Sequence, residues 1–351
     1  MEKYILNNTP IRTANNFGIN DITVEMEKPI VKNFENVTII GEELNLIELN
    51  NNDSNINNEN IKSRIGLEIR QNYCVDITVP KGTCIEKPIE IDFDFDEDNL
   101  VLIDNIKITL EENSKADFNF KYISNNDERN FHYLKQEIFA EKNSSSNISI
   151  TNMMNNESDS FIAVENTLGE NAKIKHILVE IGGKNKISNY YSKLAGYKAE
   201  NEIKNIYLGT HNNIIDINYN IEALAKNTKC IIESQGAISD NARKNFKGVI
   251  DFKKDSAKSI GIENENCMIL SDNAKSKSLP VLLCHEEDVE GKHGVSSGKI
   301  DPRKLFYIMT KGISLQEAKR LLVKANFSNI LKELDDENLH NEILSKIDQY
   351  I

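Results

Sequence analysis

The sequence contains no tryptophan and no basic block: 42 Lys and Arg stand against 55 Asp and Glu, a formal charge of −13. Surfaces for nucleic acid or anionic membrane need clustered cations, so neither partner is expected. No apolar run approaches the roughly 20 residues of a membrane helix. The opening MEKYILNNTPIRTANNFGIN lacks the positive leader and apolar stretch of a secretory signal. Cysteine is sparse too. Cys74, Cys84, Cys230, Cys267 and Cys284 are scattered, odd in number and without a CxxC pair, which argues against a disulfide framework or zinc ribbon. Free, mostly buried thiols in a reducing cytoplasm are expected.

The common catalytic signatures are missing as well. There is no GxxxxGK loop followed by Ser or Thr, so no ATP is expected to bind this chain itself. Neither a GxSxG elbow nor an HExxH helix occurs. His132, His176 and His211 stand alone in the sequence, and acidic pairs carry no glycosidase signal in so acidic a chain.

What is present is alternation. After a first segment, residues 1–65, with a polar loop over 46–63 (LIELNNNDSNINNENIKS), residues 66–299 carry apolar and polar residues in period 2, the pattern of half-buried strands. Examples are IEIDFDF (89–95), NIKITL (105–110), ADFNFKYI (116–123), NISITNM (147–153), IIDINYNI (214–221) and KGVIDF (247–252). A polar punctuation recurs between them, in NSKAD (113–117), ENAKI (170–174), YKAEN (197–201), DNARK (240–244), DSAKS (255–259) and DNAKS (272–276). Ala172 and Ala199 lie 27 residues apart, and Ala242, Ala257 and Ala274 follow at 15 and 17. Regular strand-and-turn units favour a solenoid, whose coils bury their apolar faces against neighbours. A sandwich or barrel shares the strand spacing.

Residues 300–351 read as three helices. Asp301-Pro302 supplies an N-cap and first helical residue, and Gly312 a stop. Ser314 and Glu317 form a capping box, with Ile313 and Ala318 as a staple. Ala318, Leu321, Leu322 and Ala325 make an apolar stripe, and Leu339, Ile343, Ile347 and Ile351 a second.

The densest set of ligand-type side chains is CHEEDVEGKH, 284–293. Were 281–288 a strand, Cys284, Glu286 and Asp288 would share one face and His285 and Glu287 the other. Thiolate, imidazole and carboxylate together suit iron or zinc, but the spacing matches no metal motif, and the plainer reading is a polar connecting loop.

The segment from about 206 to 334 resembles the SufB/SufD family of iron–sulfur cluster assembly proteins. Arg243, Phe246 and Gly248 match its R-x-x-F-x-G element, and Leu270, Ser271, Asp272, Ala274, Pro280 and Leu282 its L-S-D-x-A…P-x-L element. DVEGKHGVSSGKID and LFYIMTKGISLQEAKRLL follow in the family's order, and TPIRT near the start is similar to a P-x-R-T element. His293-Gly294 has the SufD form. Ala274 stands where SufB-type chains carry cysteine, and Gly291 where SufD-type chains carry another.

The resemblance implies a right-handed parallel β-helix followed by a small C-terminal helical domain. It also implies a non-enzymatic scaffold that pairs with a SufB-type subunit, binds a SufC-type ATPase and receives sulfur indirectly from a cysteine desulfurase. Gly312, Ile313, Glu317, Arg320, Leu321 and Lys324 become the ATPase contact. His293 and Cys284 become metal ligands toward a transient iron–sulfur cluster or iron at the subunit interface. The alternative is a homodimer that holds the nascent cluster itself, with Cys284 and His293 meeting across a twofold axis. Polysaccharide lyases on β-helices are a third class, disfavoured by the missing export signal and tryptophan.

Overall fold

The computed structural model describes residues 2–9, 15–51, 60–334 and 336–351. From Tyr73 to Lys299 the chain winds as a flattened parallel β-solenoid, each coil giving one strand to each of two nine-stranded sheets. The first sheet runs from Ile89–Phe95 through Phe118–Ser124, Ser145–Met153, Lys173–Ile181, Glu200–Gly209, Lys229–Ile238 and Ser259–Ile269 to Val289–Lys299. The second runs from Tyr73–Val79 to Lys275–Cys284. Pairing is in register, so each residue stacks on its equivalent in the next coil: Phe118 on Ile148, Ile148 on His176, His176 on Ile203. The apolar half of the alternation fills the lumen between the sheets. The strand expected over 89–95 has those same ends.

The turns explain the recurring punctuation. Asn113, Asn143, Asn171, Lys198, Asn227 and Lys258, spaced 27 to 31 residues apart, all have positive φ. Asn tolerates the left-handed region better than most residues, and at three positions it also forms a side-chain ladder. Asn143 Nδ2 donates to Asn113 Oδ1 at 2.9 Å, and Asn171 Nδ2 to Asn143 Oδ1 at 3.0 Å. The next residue is always small and buried: Ser114, Ser144, Ala172, Ala199, Thr228 and Ser259. One coil is therefore the 27-residue interval of Ala172 and Ala199, whereas the intervals of 15 and 17 between Ala242, Ala257 and Ala274 are half-coils between opposite corners.

The described residues among the first 70 close one end and cover one face. Val37–Ile40 and Glu48–Asn51 pair antiparallel with the first strands of the two sheets. The hairpins Glu2–Leu6/Ile22–Met26 and Asn60–Lys62/Glu68–Arg70 bury Leu6, Val24, Ile61 and Ile69 against Phe131, Tyr133, Phe161 and Ile187 on the outer face of the second sheet. Residues 46–63 are thus not one polar loop: Glu48–Asn51 and Asn60–Lys62 are strands, and 52–59 lie outside the described residues, as does most of the TPIRT element.

Three helices follow: α1 (Pro302–Met309), α2 (Leu315–Leu331) and α3 (Glu337–Tyr350). Asp301 caps α1, and Ser314 with Glu317 forms the capping box of α2. The second and third helices fold back onto the outer face of the first sheet. Val323, Phe327, Ile330 and Leu331 from α2 and Leu339, Ile343, Ile347 and Ile351 around α3 pack on Ile177, Val179, Ile206 and Leu208. Lys204 clamps Glu333 at 2.5 Å, and Lys121 reaches Glu342 at 3.2 Å. The buried stripe of α2 therefore differs from the one read in the sequence: Ala318 belongs to it, but Leu321 and Ala325 are exposed. The sheet, rather than the hydrophobic count of the helix, selects the face.

Candidate functional site at the open end of the solenoid

At the end opposite the antiparallel strands, both sheets stop without a further neighbour among the described residues. Lys275–Cys284 and Val289–Lys299 each pair on one side only. Their side chains are exposed or half-buried, unlike those of the coils before them. Edge strands present unpaired N–H and C=O groups to any incoming strand. Pro280, which has no N–H, sits in one of these two edge strands, where a ladder tolerates it.

The lumen changes character here. Glu263, Glu265 and Cys267 alternate along Ser259–Ile269. Lys244 projects from the facing sheet and bonds Glu265 Oε1 at 2.6 Å, with both side chains fully buried. The pair is well supplied: the Tyr207 hydroxyl donates to Glu265 Oε1 at 2.6 Å and Ser278 Oγ to Oε2 at 2.9 Å. Lys244 also donates to Ser278 Oγ at 2.9 Å. Glu263 has no such company. It is fully buried, with no counter-ion and no side-chain donor among the described residues, and only the Val281 backbone N–H approaches it. Burial first, then the negative charge of Glu265, pushes its carboxyl up to about 8. Gly248 makes room for it, since a Cβ there would lie 2.0 Å from Glu263 Oε1. The glycine of the R-x-x-F-x-G element thus has a steric reason.

His293 stacks in register on Glu263, one strand nearer the opening, and is exposed. Cys284 is also exposed, but ends the strand of the other sheet. Its strand ends where the sequence expectation ran on: residues 285–288 are a turn, so the two-face arrangement of 281–288 does not form. His285 lies 3.7 Å from Asp251. Leu282 is the nearest side chain to the Gly291 position, so Cys284 and His293 lie on opposite sides of that contact. Four residues at about 3.3 Å each separate them by roughly 13 Å along the strands. They cannot share one ion within a single chain. Among the described residues no group of three or more His, Cys, Asp or Glu is arranged to hold a metal, so a complete cluster site does not fit within this chain alone. Ala274, in the position of the missing cysteine, is buried at the edge of the lumen.

Next to the open end lies an exposed apolar surface. α1 buries no residue, and Phe306, Tyr307, Met309, Leu315 and Leu321 are exposed. Gly312, with φ 84, makes the turn into α2. Of the expected partner contacts, Gly312, Glu317 and Leu321 are exposed and Ile313 half-buried. Arg320 and Lys324 are instead engaged with α3: Arg320 Nε donates to the Ile351 carbonyl at 2.8 Å and Lys324 pairs with Asp348 at 2.6 Å. The exposed aromatics of α1 were not singled out in the sequence. Their signal was a short capped helix with no obvious buried stripe. The lumen polar residues were missed too, although the run IENEN, polar on both faces of a strand, marked the place.

These features define a β-solenoid protein, closed at its N-terminal end, open at its C-terminal end, and flanked there by an unburied helix. Residues 93–326, two thirds of the chain, match the SufBD core domain of the SUF system for FeS cluster assembly, and the chain belongs to that family. It is similar to the iron–sulfur cluster assembly protein SufD of Bacillus subtilis, 23% identical over 275 residues, covering 78% of this chain and 63% of that protein. The SufD of Escherichia coli is 30% identical over 112 residues, 32% of this chain and 26% of that protein. A SufBD family protein of Pyrococcus horikoshii is 28% identical over 173 residues, 48% of this chain and 38% of that protein. The chain spans less than two thirds of each of these relatives. Among the described residues no helix is long and apolar enough to cross a membrane.

Proposed function

We propose that this chain is a SufD-like scaffold of the SUF system, without turnover of its own, which joins a SufB-type subunit edge to edge and binds a SufC-type ATPase through its C-terminal helices. The observation that carries the reading is the pair of free strands, Lys275–Cys284 and Val289–Lys299, ending both sheets at one place. A second solenoid of the same cross-section satisfies both edges together, whereas a lone peptide would satisfy one. The exposed patch of Phe306, Tyr307, Met309, Leu315 and Leu321 supports the ATPase contact, with Gly312, Ile313 and Glu317 at its margin.

The connection between the two surfaces is short. Only Ile300 and Asp301 separate the last strand from α1, while α2 and α3 are held on the first sheet by the apolar cluster around Phe327. Movement of α1 by a nucleotide-driven partner therefore reaches the edge strand, and with it His293, before it reaches the rest of the fold. A nascent cluster or iron would be cargo at that junction, with donors from the other subunit completing the set. Sulfur would arrive through the partners from a cysteine desulfurase, in the cytoplasm.

Co-expression with the SufB- and SufC-type proteins of the same organism, followed by the mass of the purified assembly, tests this. One copy of this chain, one SufB-type chain and two ATPases is the expected composition. Two copies of this chain with the ATPase alone would replace the reading by a homodimer, and Cys284 and His293 from different copies would then be the pair to examine.

A further inference from the structure

The lumen ends in a carboxyl group that the fold does not use. Glu263 and Glu265 are two residues apart on one strand and both face inward, yet only Glu265 has a cation and side-chain hydrogen-bond donors. Glu263 is fully buried, without a counter-ion or side-chain donor among the described residues and approached only by the Val281 backbone N–H. A buried carboxyl without a counter-ion is costly, and Ile232, its equivalent one coil earlier, is an ordinary core residue. Stability alone gives no reason for a glutamate here, and Gly248 on the facing strand leaves the space the carboxyl occupies.

The next residue in the same column, toward the opening, is His293. Its same-face neighbour on that strand is Gly291, which adds no side chain to the mouth. A histidine and a glutamate thus occupy neighbouring positions of one column at the end of the lumen, with no further coil beyond them among the described residues. Mixed nitrogen and oxygen donors suit divalent first-row transition cations, and a cation is the partner that an unpaired buried carboxylate lacks.

We propose that Glu263 is the second donor, beside His293, of a half-site for a divalent first-row transition cation such as iron(II). The remaining positions are taken by water or by the subunit that docks on the open edges, so the inference rests on the assembly reading only for completion of the site. Cys284, displaced along the opposite strand, is not part of it.

Cobalt(II), added without air to the full chain alone and to the co-purified assembly, is the probe. Wild type is compared with Glu263→Gln and His293→Ala by absorption and by the number of ions retained. Each substitution is expected to weaken cobalt binding at least tenfold and to remove the same visible bands. Glu263→Gln is also expected to melt no lower than wild type, which separates loss of a ligand from loss of the fold. Unchanged cobalt binding in Glu263→Gln, or a lower melting temperature with the bands intact, would overturn the proposal. Failure of the assembly to form in wild type would instead overturn the assembly reading, and the titration of the chain alone would still decide the role of Glu263.

Discussion

The Lys247 ammonium meets the Asp216 carboxylate at 2.5 Å with both side chains fully buried, on neighbouring strands of the second sheet. Lys247 also donates to the Asn7 carbonyl at 2.9 Å, and Asn7 Nδ2 donates to Asp216 Oδ1 at 2.6 Å. The pair is therefore the anchor of the N-terminal segment on the solenoid wall. Removing one partner of a buried ion pair leaves an uncompensated charge and costs about 3–5 kcal/mol. Lys247→Met is expected to lower the urea midpoint accordingly, and adding Asp216→Asn should restore much of it. Hydrogen exchange gives the local readout: the amides of Asn7 and Thr9, bonded to Ile65 and Asn20, should exchange faster in the single variant. Protection unchanged at both would place the anchor elsewhere.

The corner ladder makes a prediction about backbone conformation. Asn143 has φ 59 and lies between Asn113 and Asn171 in the side-chain ladder. Alanine in the left-handed region costs roughly 1–2 kcal/mol, and the ladder bonds are lost as well. Asn143→Ala should thus destabilise by about 2 kcal/mol, whereas Asn143→Gly, free of the conformational cost, should lose distinctly less. Equal losses would mean that the side-chain ladder, and not the backbone, dominates this corner.

Much of the architecture is legible in the residues because a solenoid is local. IEIDFDF announces its strand through strict alternation, and Asp301-Pro302 and Ser314-Glu317 announce their helices through caps that the structure uses. Less legible is whatever depends on a distant neighbour. Leu321 is as apolar as Val323, and only the sheet under α2 decides which is buried. Residues 1–65 show no long period because their short hairpins take their register from the wall they cover. His293 and Cys284 are close in the sequence, yet a turn and a change of sheet part them. Glu263 brings the reverse lesson: its relation to His293 spans a full coil, a spacing that no local motif contains.

His176 gives a pH prediction with a defined sign. It is buried in an apolar column between Ile148 and Ile203, and burial lowers its imidazole from 6.5 to about 3. The folded state therefore keeps it neutral, while the unfolded chain takes up a proton below pH 6.5. Its contribution to stability is present above that value and lost as pH falls, at about 1.4 kcal/mol per pH unit. Between pH 7.5 and 5 this amounts to about 2 kcal/mol. His176→Leu should remove that part of the acid sensitivity, measured as the change in unfolding free energy across the interval. Its fixed cost should be small, because Asn201 still donates to the Tyr190 hydroxyl that His176 meets at 3.0 Å. An unchanged acid slope in the variant would show that His176 is not the titrating group.

The C-terminal helices separate two kinds of apolar residue, and substitution should separate them too. Phe327 is fully buried in the cluster that holds α2 to the first sheet, whereas Phe306 is 71% and Leu321 49% exposed. Phe327→Ala removes a core aromatic and should cost about 3–5 kcal/mol, with loss of the helical region before the solenoid melts. Phe306→Asp and Leu321→Glu remove no burial and should leave the melting temperature within a degree or two, since exposed substitutions change stability by about 0.5 kcal/mol or less. If this surface receives the ATPase, the same two variants should lose its binding, because exposed aromatics that become buried carry much of an interface's energy. Calorimetric titration with the ATPase, run beside thermal melts, reads both properties on the same preparations. Retained binding by both exposed-site variants would move the contact off α1 and α2. Lost binding together with a large fall in melting temperature would mean that these residues are structural, and that the patch is part of the fold instead of a docking surface.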